Sequence, residues 1–166
     1  PNLCDVFLSF REEDSGAKFI PHLYSSLQNA GIYAFRDNDK IQRGDQISMS
    51  LLRAIQQSKI AIVILSTNYA NSRCCLHELE RIMKIGRTRD LVVVPVYEVD
   101  RFDVRHQKSL FGNFFEDLIS TSSVGEFNKR KWRNALIDIA GIAGFSHKDS
   151  RLFEFSLRNT TSLTNY

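Results

Sequence analysis

The sequence has no hydrophobic run long enough to cross a membrane. Its longest apolar stretches, KIAIVILS at residues 59–66 and DLVVVPVY at residues 90–97, are less than half of the about 20 residues that a transmembrane helix needs. The N-terminal stretch also lacks the basic region followed by an apolar region that marks a secretory signal. We therefore expect a soluble protein that is not secreted and does not bind a membrane.

Cysteine is scarce as well. The chain has three cysteines, Cys4, Cys74 and Cys75, which is an odd number with two of them adjacent. Such a pattern is a poor framework for disulfides and suits a reducing compartment. Because no CxxC pair and no paired histidines accompany them, the sequence predicts no metal site.

Charge of one sign does not dominate the chain. The formal net charge is +3, which is too small by itself to indicate a nucleic-acid partner. The one basic cluster, NKRKWR at residues 128–133, contains Trp132, which recurs at helical spacing with Leu136, Ile139 and Ala143. This spacing indicates that Trp132 packs in the core and does not stack on nucleic-acid bases. It places the neighbouring basic side chains on the solvent-exposed face of the helix. We expect no nucleic-acid partner.

Several catalytic motifs are missing. GxGxxG, GxxxxGKS/T, HExxH and GxSxG do not occur, so nothing supports a Rossmann enzyme, a P-loop NTPase, a zinc protease or an α/β-hydrolase. Ser9 ends an apolar run without a GxSxG turn and is interpreted as a packing or capping residue. The stretch VILSTN offers no aspartate after its apolar run, which argues against a phosphoacceptor response regulator.

What the sequence does contain is an alternation of strands and helices. Apolar runs predict four strands, at Cys4–Phe10, Ile32–Asp37, Lys59–Ser66 and Leu91–Tyr97. Apolar residues at helical spacing predict helices between these strands and two more after them, near residues 19–30, 47–55, 72–86, 108–119 and 126–143.

This order predicts a parallel sheet covered on both faces. The third and fourth strands are continuous branched-aliphatic runs, as strands buried on both faces require. Alternating strands and helices imply a doubly wound sheet, because right-handed crossovers leave few other topologies. Such sheets bind ligands beyond the carboxyl ends of the strands, where the winding reverses. In a flavodoxin-like order this point lies between the first and third strands, next to SFREED and STNYA.

The helix SRCCLHELERIMKIG carries one carboxylate, Glu78, at the predicted border of its apolar face. In one interpretation Glu78 is solvated and pairs with Arg81. In the other it faces the ligand cleft, because the third strand leads directly into this helix. Spacing alone leaves both open.

Six segments, in the right order and spacing, resemble the Toll/interleukin receptor (TIR) domain of plant immune receptors: DVFLSFREED, HLYSSLQNAGIYAFRDNDKIQRGDQI, LLRAIQQSKIAIVILSTNYA, CCLHELERIMK, VVVPVYEVDRFDVRHQ and KWRNAL. The resemblance implies an α/β, flavodoxin-like three-layer sandwich with a five-stranded parallel sheet, whose fifth strand lies near GFSH. It assigns residues 4–146 to the TIR domain and residues 147–166 to a C-terminal tail or linker toward a nucleotide-binding domain outside this chain.

The resemblance also implies a function. Family members sit in intracellular nucleotide-binding leucine-rich-repeat receptors of the cytoplasm or the nucleus and cytoplasm, and signal by association with other TIR domains. Many then cleave NAD+ as a substrate, without a cofactor, at the nicotinamide glycosidic bond. In this sequence the catalytic position is Glu78, in CLHEL. Phe10 and Arg11 are expected to line the cleft, and Arg11 and Arg43 to contact the pyrophosphate, since their donors match phosphate oxygens. The alternative for Arg43 is a solvated loop residue.

Four departures from the family pattern bear on these expectations. Cys74 replaces a substrate-stacking tryptophan, a loss of about 1–3 kcal/mol by analogy with base stacking. Glu12 replaces a glycine and adds a negative charge near the phosphates. Pro21 replaces a serine before His22 on the first helix, the family's self-association surface, and is expected to kink that helix. The segment at Asp100–Phe102 is expected to be reshaped.

Two functional hypotheses follow from the residues and the resemblance. The first is a TIR signalling domain that self-associates and is a candidate NAD+ glycohydrolase, with Glu78 catalytic and with activity weakened by Cys74 and Glu12. The alternative is a catalytically degenerate binding or scaffold module without NAD+ hydrolysis.

Overall fold

The computed structural model describes residues 5–15, 19–35, 49–121 and 123–146. The strands are β1 (Val6–Ser9), β2 (Ala34–Phe35), β3 (Ile60–Leu65), β4 (Val92–Tyr97) and β5 (Phe145–Ser146). The helices are α1 (Glu12–Ser15), α2 (Phe19–Asn29), α3 (Met49–Gln57), α4 (Arg73–Thr88), α5 (Arg101–His106), α6 (Ser109–Ile119) and α7 (Glu126–Ala140), with a 3₁₀ turn at Tyr69–Asn71.

The five described strands form one parallel sheet in the order β2-β1-β3-β4-β5. This is the flavodoxin-like order, so the predicted fold class and the reversal of winding between β1 and β3 are confirmed. The fifth strand, which only the family resemblance implied, is also present: Phe145 and Ser146 pair with Val96 and Tyr97.

The sheet is buried on both faces because β3 sends alternate side chains into two cores. Ala61, Val63 and Leu65 pack into one core with residues of α3, α4, α6 and α7. The isoleucines of β3 point the other way and pack with α2. All six residues of β3 are fully buried, as its uninterrupted apolar run predicts.

Trp132 is a core residue, as its spacing predicts. Its side chain is 2% exposed, and its ring makes a T-shaped contact with the ring of His77 at a centroid distance of 5.1 Å. The basic neighbours of Trp132 lie outside the core and form ion pairs, namely Lys129 with Glu126, Lys131 with Glu80 and Arg133 with Glu116.

Two segments that depart from the family pattern, at Pro21 and at Asp100–Phe102, are both helical or at the start of a helix. Pro21 is the third residue of α2, in the first turn, where a backbone N–H has no acceptor within the helix, so Pro21 does not interrupt the helix, which continues to Asn29. The segment after β4 is a helix, α5, which the sequence pattern did not predict. The carboxylate of Asp100 caps it by accepting a hydrogen bond from the backbone N–H of Phe102 at 2.9 Å.

None of the described helices combines the length and the apolar character that a membrane span requires.

Candidate functional site

A cavity of about 400 Å³ opens at the carboxyl ends of β1 and β3, where the winding of the sheet reverses. Its first wall is the segment after β1, and its second wall is the start of α4, with one residue from α6. This volume falls within the range of small-molecule sites. The lining residues are Phe10, Arg11, Glu12, Glu13, Asn71, Ser72, Arg73, Cys74, Cys75 and Leu118.

The two walls are joined by a hydrogen-bonded contact between Asp14 and Asn68. One carboxylate oxygen of Asp14 accepts from the backbone N–H of Asn68 at 2.7 Å, and the other accepts from its side-chain amide at 2.8 Å. Burial raises the pKa of Asp14, but the hydrogen bonds from Asn68 and the nearby charge of Arg11 outweigh burial, so the net pKa is lowered from 3.8. The ionised form is therefore the one that joins the walls.

We expect this contact to make stability depend on pH in the acid range. A lowered pKa in the folded state means that Asp14 stabilises the fold above the pKa of the unfolded chain and loses this contribution as the pH falls through its folded pKa. Asp14→Asn should therefore lower the melting temperature at pH 6, with the difference from the parent shrinking below about pH 4. Thermal unfolding between pH 7 and pH 2.5 measures it, with Asp117→Asn, an exposed substitution on α6, as the matched control. A difference that stays constant with pH would contradict the linkage.

The second wall is the first turn of α4. Ser72 caps this helix by accepting a hydrogen bond from the backbone N–H of Cys75 at 3.2 Å. The thiol of Cys75 donates to the carbonyl of Phe10 at 3.4 Å and thereby ties α4 to the end of β1. Cys74, by contrast, is partly exposed and lines the cavity.

Glu78 lies one turn further along α4 and is completely buried, with 0% of its surface exposed. Its Oε2 accepts a hydrogen bond from Ser9 Oγ at 3.1 Å, and Ser9 Oγ is 2.8 Å from the hydroxyl of Tyr69. Burial, and then the neighbouring Cys75 and Glu78, raise the pKa of Tyr69 well above 10.0, so its hydroxyl stays protonated and donates to the carbonyl of Cys75 at 3.1 Å. Glu78 thus belongs to a buried polar network beside the cavity and does not line it.

The charges at the cavity are mixed. Arg11 pairs with Glu13 at 2.9 Å, with 24% of the arginine side chain exposed. Arg73 faces the loop between α6 and α7, where its guanidinium bonds to the hydroxyl of Ser123. Glu12 is a second lining carboxylate. Two arginines and two glutamates line the cavity, so its rim is not strongly positive, and an anionic ligand would compete with Glu13 for Arg11.

The profile of the TIR domain matches residues 4–154 of this chain. The chain belongs to the TIR domain family. It is 40% identical over 162 residues to disease resistance protein RPV1 of Vitis rotundifolia, covering 95% of this chain and 11% of that protein. It is 40% identical over 141 residues to TMV resistance protein N of Nicotiana glutinosa, covering 84% of this chain and 12% of that protein. This TIR domain therefore spans about a ninth of the length of these relatives.

A solved TIR structure has the same fold. It is a TIR-domain chain of the activated Roq1 resistosome, which directly recognises the pathogen effector XopQ. The TM-score is 0.82 with 34% sequence identity, and the match covers 99% of this chain and 100% of that chain. The likeness thus extends over the whole TIR domain.

The predicted site residues of this TIR domain fall into separate groups. Phe10, Arg11 and Cys74 meet at one cavity. Glu78 is adjacent but buried, so of the two interpretations that spacing left open the solvated one is wrong, and the side chain does not line the cavity either. Arg81 instead pairs with Glu80, at 3.6 Å. The other predicted site residues lie away from the cavity or outside the described part of the chain: Pro21 and His22 are exposed on α2, and Arg43 lies outside the described residues.

Four residues around the site were not predicted as functional, namely Ser9, Asp14, Asn68 and Tyr69. Ser9 was interpreted as a packing residue, and it is one, but it also carries the hydrogen bond to Glu78. Asp14 and Asn68 are 54 positions apart in the chain, and their pairing has no local signal. Their position in the chain could have identified them as candidates. Ser9 ends β1, Asp14 follows β1, and Asn68 and Tyr69 follow β3, so all four lie next to the point where the winding of the sheet reverses.

Proposed function

We propose that this chain is the signalling domain of a plant immune receptor and that it acts by associating with other TIR domains in the cytoplasm, or in the nucleus and cytoplasm. The observation that carries the proposal is the likeness to a TIR chain of the activated Roq1 resistosome, which extends over all of that chain. The relatives named as disease resistance proteins support the same biological setting.

The exposed start of α2 is the proposed association surface. Pro21 and His22 are both exposed there. Because Pro21 is accommodated in the first turn, α2 presents a continuous surface. The proline removes from this surface only its own backbone N–H, a donor that a neighbouring chain could use.

We expect Pro21→Ser to strengthen association by restoring a hydroxyl and a backbone donor at this surface. A gain of about 1 kcal/mol, that of one hydrogen bond, would lower the dissociation constant about fivefold. Sedimentation velocity over a concentration series measures it. Ser25→Pro is not a suitable comparison because it would break the helix, so the matched control is Gln28→Ser, an exposed substitution near the other end of α2. Equal sedimentation of parent and Pro21→Ser would remove this surface from the proposal.

We further propose NAD+ as the substrate of the cavity, with hydrolysis at the nicotinamide glycosidic bond. Water would add to C1′ of the ribose as the bond to nicotinamide breaks, giving ADP-ribose, nicotinamide and a proton. Nicotinamide leaves as a neutral pyridine, so no second carboxyl is needed to protonate it. A single carboxylate then suffices to stabilise the oxocarbenium-like ribose, and this role is proposed for Glu78.

The described geometry favours this second function less than the first. Glu78 is fully buried and accepts a hydrogen bond from Ser9, so it would have to be uncovered before it could touch a ribose. Arg11 would have to exchange Glu13 for the pyrophosphate. Cys74 supplies no aromatic platform. We therefore propose weak hydrolysis that depends on assembly, with a TIR module that binds partners without cleaving NAD+ as the alternative.

A further inference from the structure

The loop between α6 and α7, residues 120–125, carries two exposed hydroxyls that share one arginine. Thr121 and Ser123 are both exposed, and Ser122 between them lies outside the described residues. Nη2 of Arg73 donates to Ser123 Oγ and lies 3.4 Å from Thr121 Oγ1. The arginine belongs to α4, so the contact joins this loop to the start of a different helix.

The described contacts of Arg73 with this loop are to neutral hydroxyls. Arg73 has five donors in a rigid planar fork, which matches the oxygens of a phosphate better than a neutral hydroxyl. A phosphate on Ser123 would add three acceptor oxygens and close to two negative charges at the position that the guanidinium already reaches. The loop therefore holds an acceptor hydroxyl and a group that could bind its phosphate, both before any modification.

The surrounding charges favour an anion at this point. Arg73 is the first residue of α4, a helix of 16 residues with no acidic side chain in its first turn. The N-terminal end of such a helix carries partial positive charge. The opposing carboxylates are Glu126 at the start of α7, which is paired with Lys129 at 3.0 Å, and Glu12 and Glu13 across the cavity.

Ser123 is also presented as a kinase substrate would be. Its side chain is exposed, and Glu126 follows it by three positions. Kinases that select acidic residues after the acceptor serine recognise this spacing by charge. Ser9 has a glutamate at the same spacing but is fully buried in β1 and cannot be reached.

We propose that Ser123 is a phosphorylation site and that Arg73 binds the resulting phosphate. The γ-phosphoryl group of ATP is transferred to Ser123 Oγ, the bond to ADP breaks, and the hydroxyl proton passes to the base of the kinase. Arg73 then holds the loop against the start of α4 with charge-assisted hydrogen bonds. Because Arg73 also lines the cavity, the phosphate adds negative charge at its rim, and, if the proposed NAD+ site is correct, opposes binding of that anionic substrate.

The first test asks whether Ser123 accepts phosphate in the folded chain. The full chain is incubated with casein kinase 2 and ATP, and the modified residue is mapped by mass spectrometry. We expect phosphate on Ser123, loss of this product in Ser123→Ala, and slower incorporation in Glu126→Gln. A folded chain without phosphate on Ser123, under conditions in which a peptide of residues 117–129 is modified, would overturn the assignment of the acceptor.

The second test asks whether Arg73 binds the phosphate. This test requires neither a kinase nor hydrolysis of NAD+. Phosphoserine is installed at position 123 during translation, and its effect on melting temperature is compared in three backgrounds. We expect a rise of about 2–4 °C in the parent and in Arg87→Gln, which removes the same charge from the same helix, and no rise in Arg73→Gln. An equal rise in Arg73→Gln, or none in the parent, would overturn the assignment of Arg73.

Discussion

Glu78→Gln should abolish nicotinamide release while leaving the fold intact. Gln has the shape of Glu and can still accept the hydrogen bond that Ser9 donates to Oε2 at 3.1 Å, so the buried network survives. It cannot supply the negative charge proposed to stabilise the ribose cation, and loss of one such electrostatic group costs about 10²–10³-fold in rate. Nicotinamide release from NAD+, followed by chromatography at high protein concentration, measures this.

The choice of glutamine over alanine comes from the burial of this side chain. Glu78 is 0% exposed, so Glu78→Ala would leave a cavity and would remove the acceptor that Ser9 now has. A loss of activity in that variant could then reflect unfolding. The matched control is Glu80→Gln on the same helix, which removes the same charge from a residue that pairs with Arg81 and Lys131. Unchanged release by folded Glu78→Gln would move the catalytic role to another residue.

If the parent protein is nearly inactive, a variant expected to gain NAD+ hydrolysis tests the same proposal. Cys74 is partly exposed at the cavity, so Cys74→Trp has room to place an indole against a bound ring. Recovery of one stacking contact should lower the Michaelis constant for NAD+ by roughly tenfold. A folded and associated Cys74→Trp variant that leaves NAD+ intact would favour the module that binds without catalysis.

Trp132→Ala should be among the most destabilising single substitutions in the described chain. The indole is 2% exposed and packs from α7 against α4, where it makes a T-shaped contact with the ring of His77. Removing a buried tryptophan costs about 3–5 kcal/mol of unfolding free energy, because both apolar contact and packing are lost. For a domain of this size the melting temperature should fall by about 6–20 °C. Denaturant and thermal unfolding measure both quantities.

Phe127→Ala is the control for this substitution. It removes an aromatic ring from the same helix, but Phe127 is 63% exposed and its described ring contact is with Lys131, whose Nζ is 4.5 Å from the ring centroid. We expect a loss under about 1 kcal/mol. Similar losses for the two variants would contradict the assignment of Trp132 as the anchor between α4 and α7.

Some features could be predicted because they depend on patterns along one segment. The uninterrupted apolar run of β3 predicted a strand covered on both faces, and all six of its residues are buried. The helical spacing of Trp132 predicted its burial in the same way, because a periodic stripe has to be covered by something. The family motif CLHEL supplied the candidate role of Glu78, and no pattern in this single chain would have done so.

Other features were decided only by how the elements pack. The spacing of α4 put Glu78 at the border of an apolar face, but α4 is covered by β1, β4, α3 and α7, so this border is buried. The network of Ser9, Tyr69 and Glu78 and the contact between Asp14 and Asn68 join segments that are distant in the chain. The sequence by itself determined β1 to β4, the longer helices and which of their side chains must be covered, because these depend on local periodicity. The short elements α1, α5 and β5 had no such periodic signal. The partners of the polar groups, and the depth of Glu78, depend on which surfaces meet, and only the tertiary structure decides that.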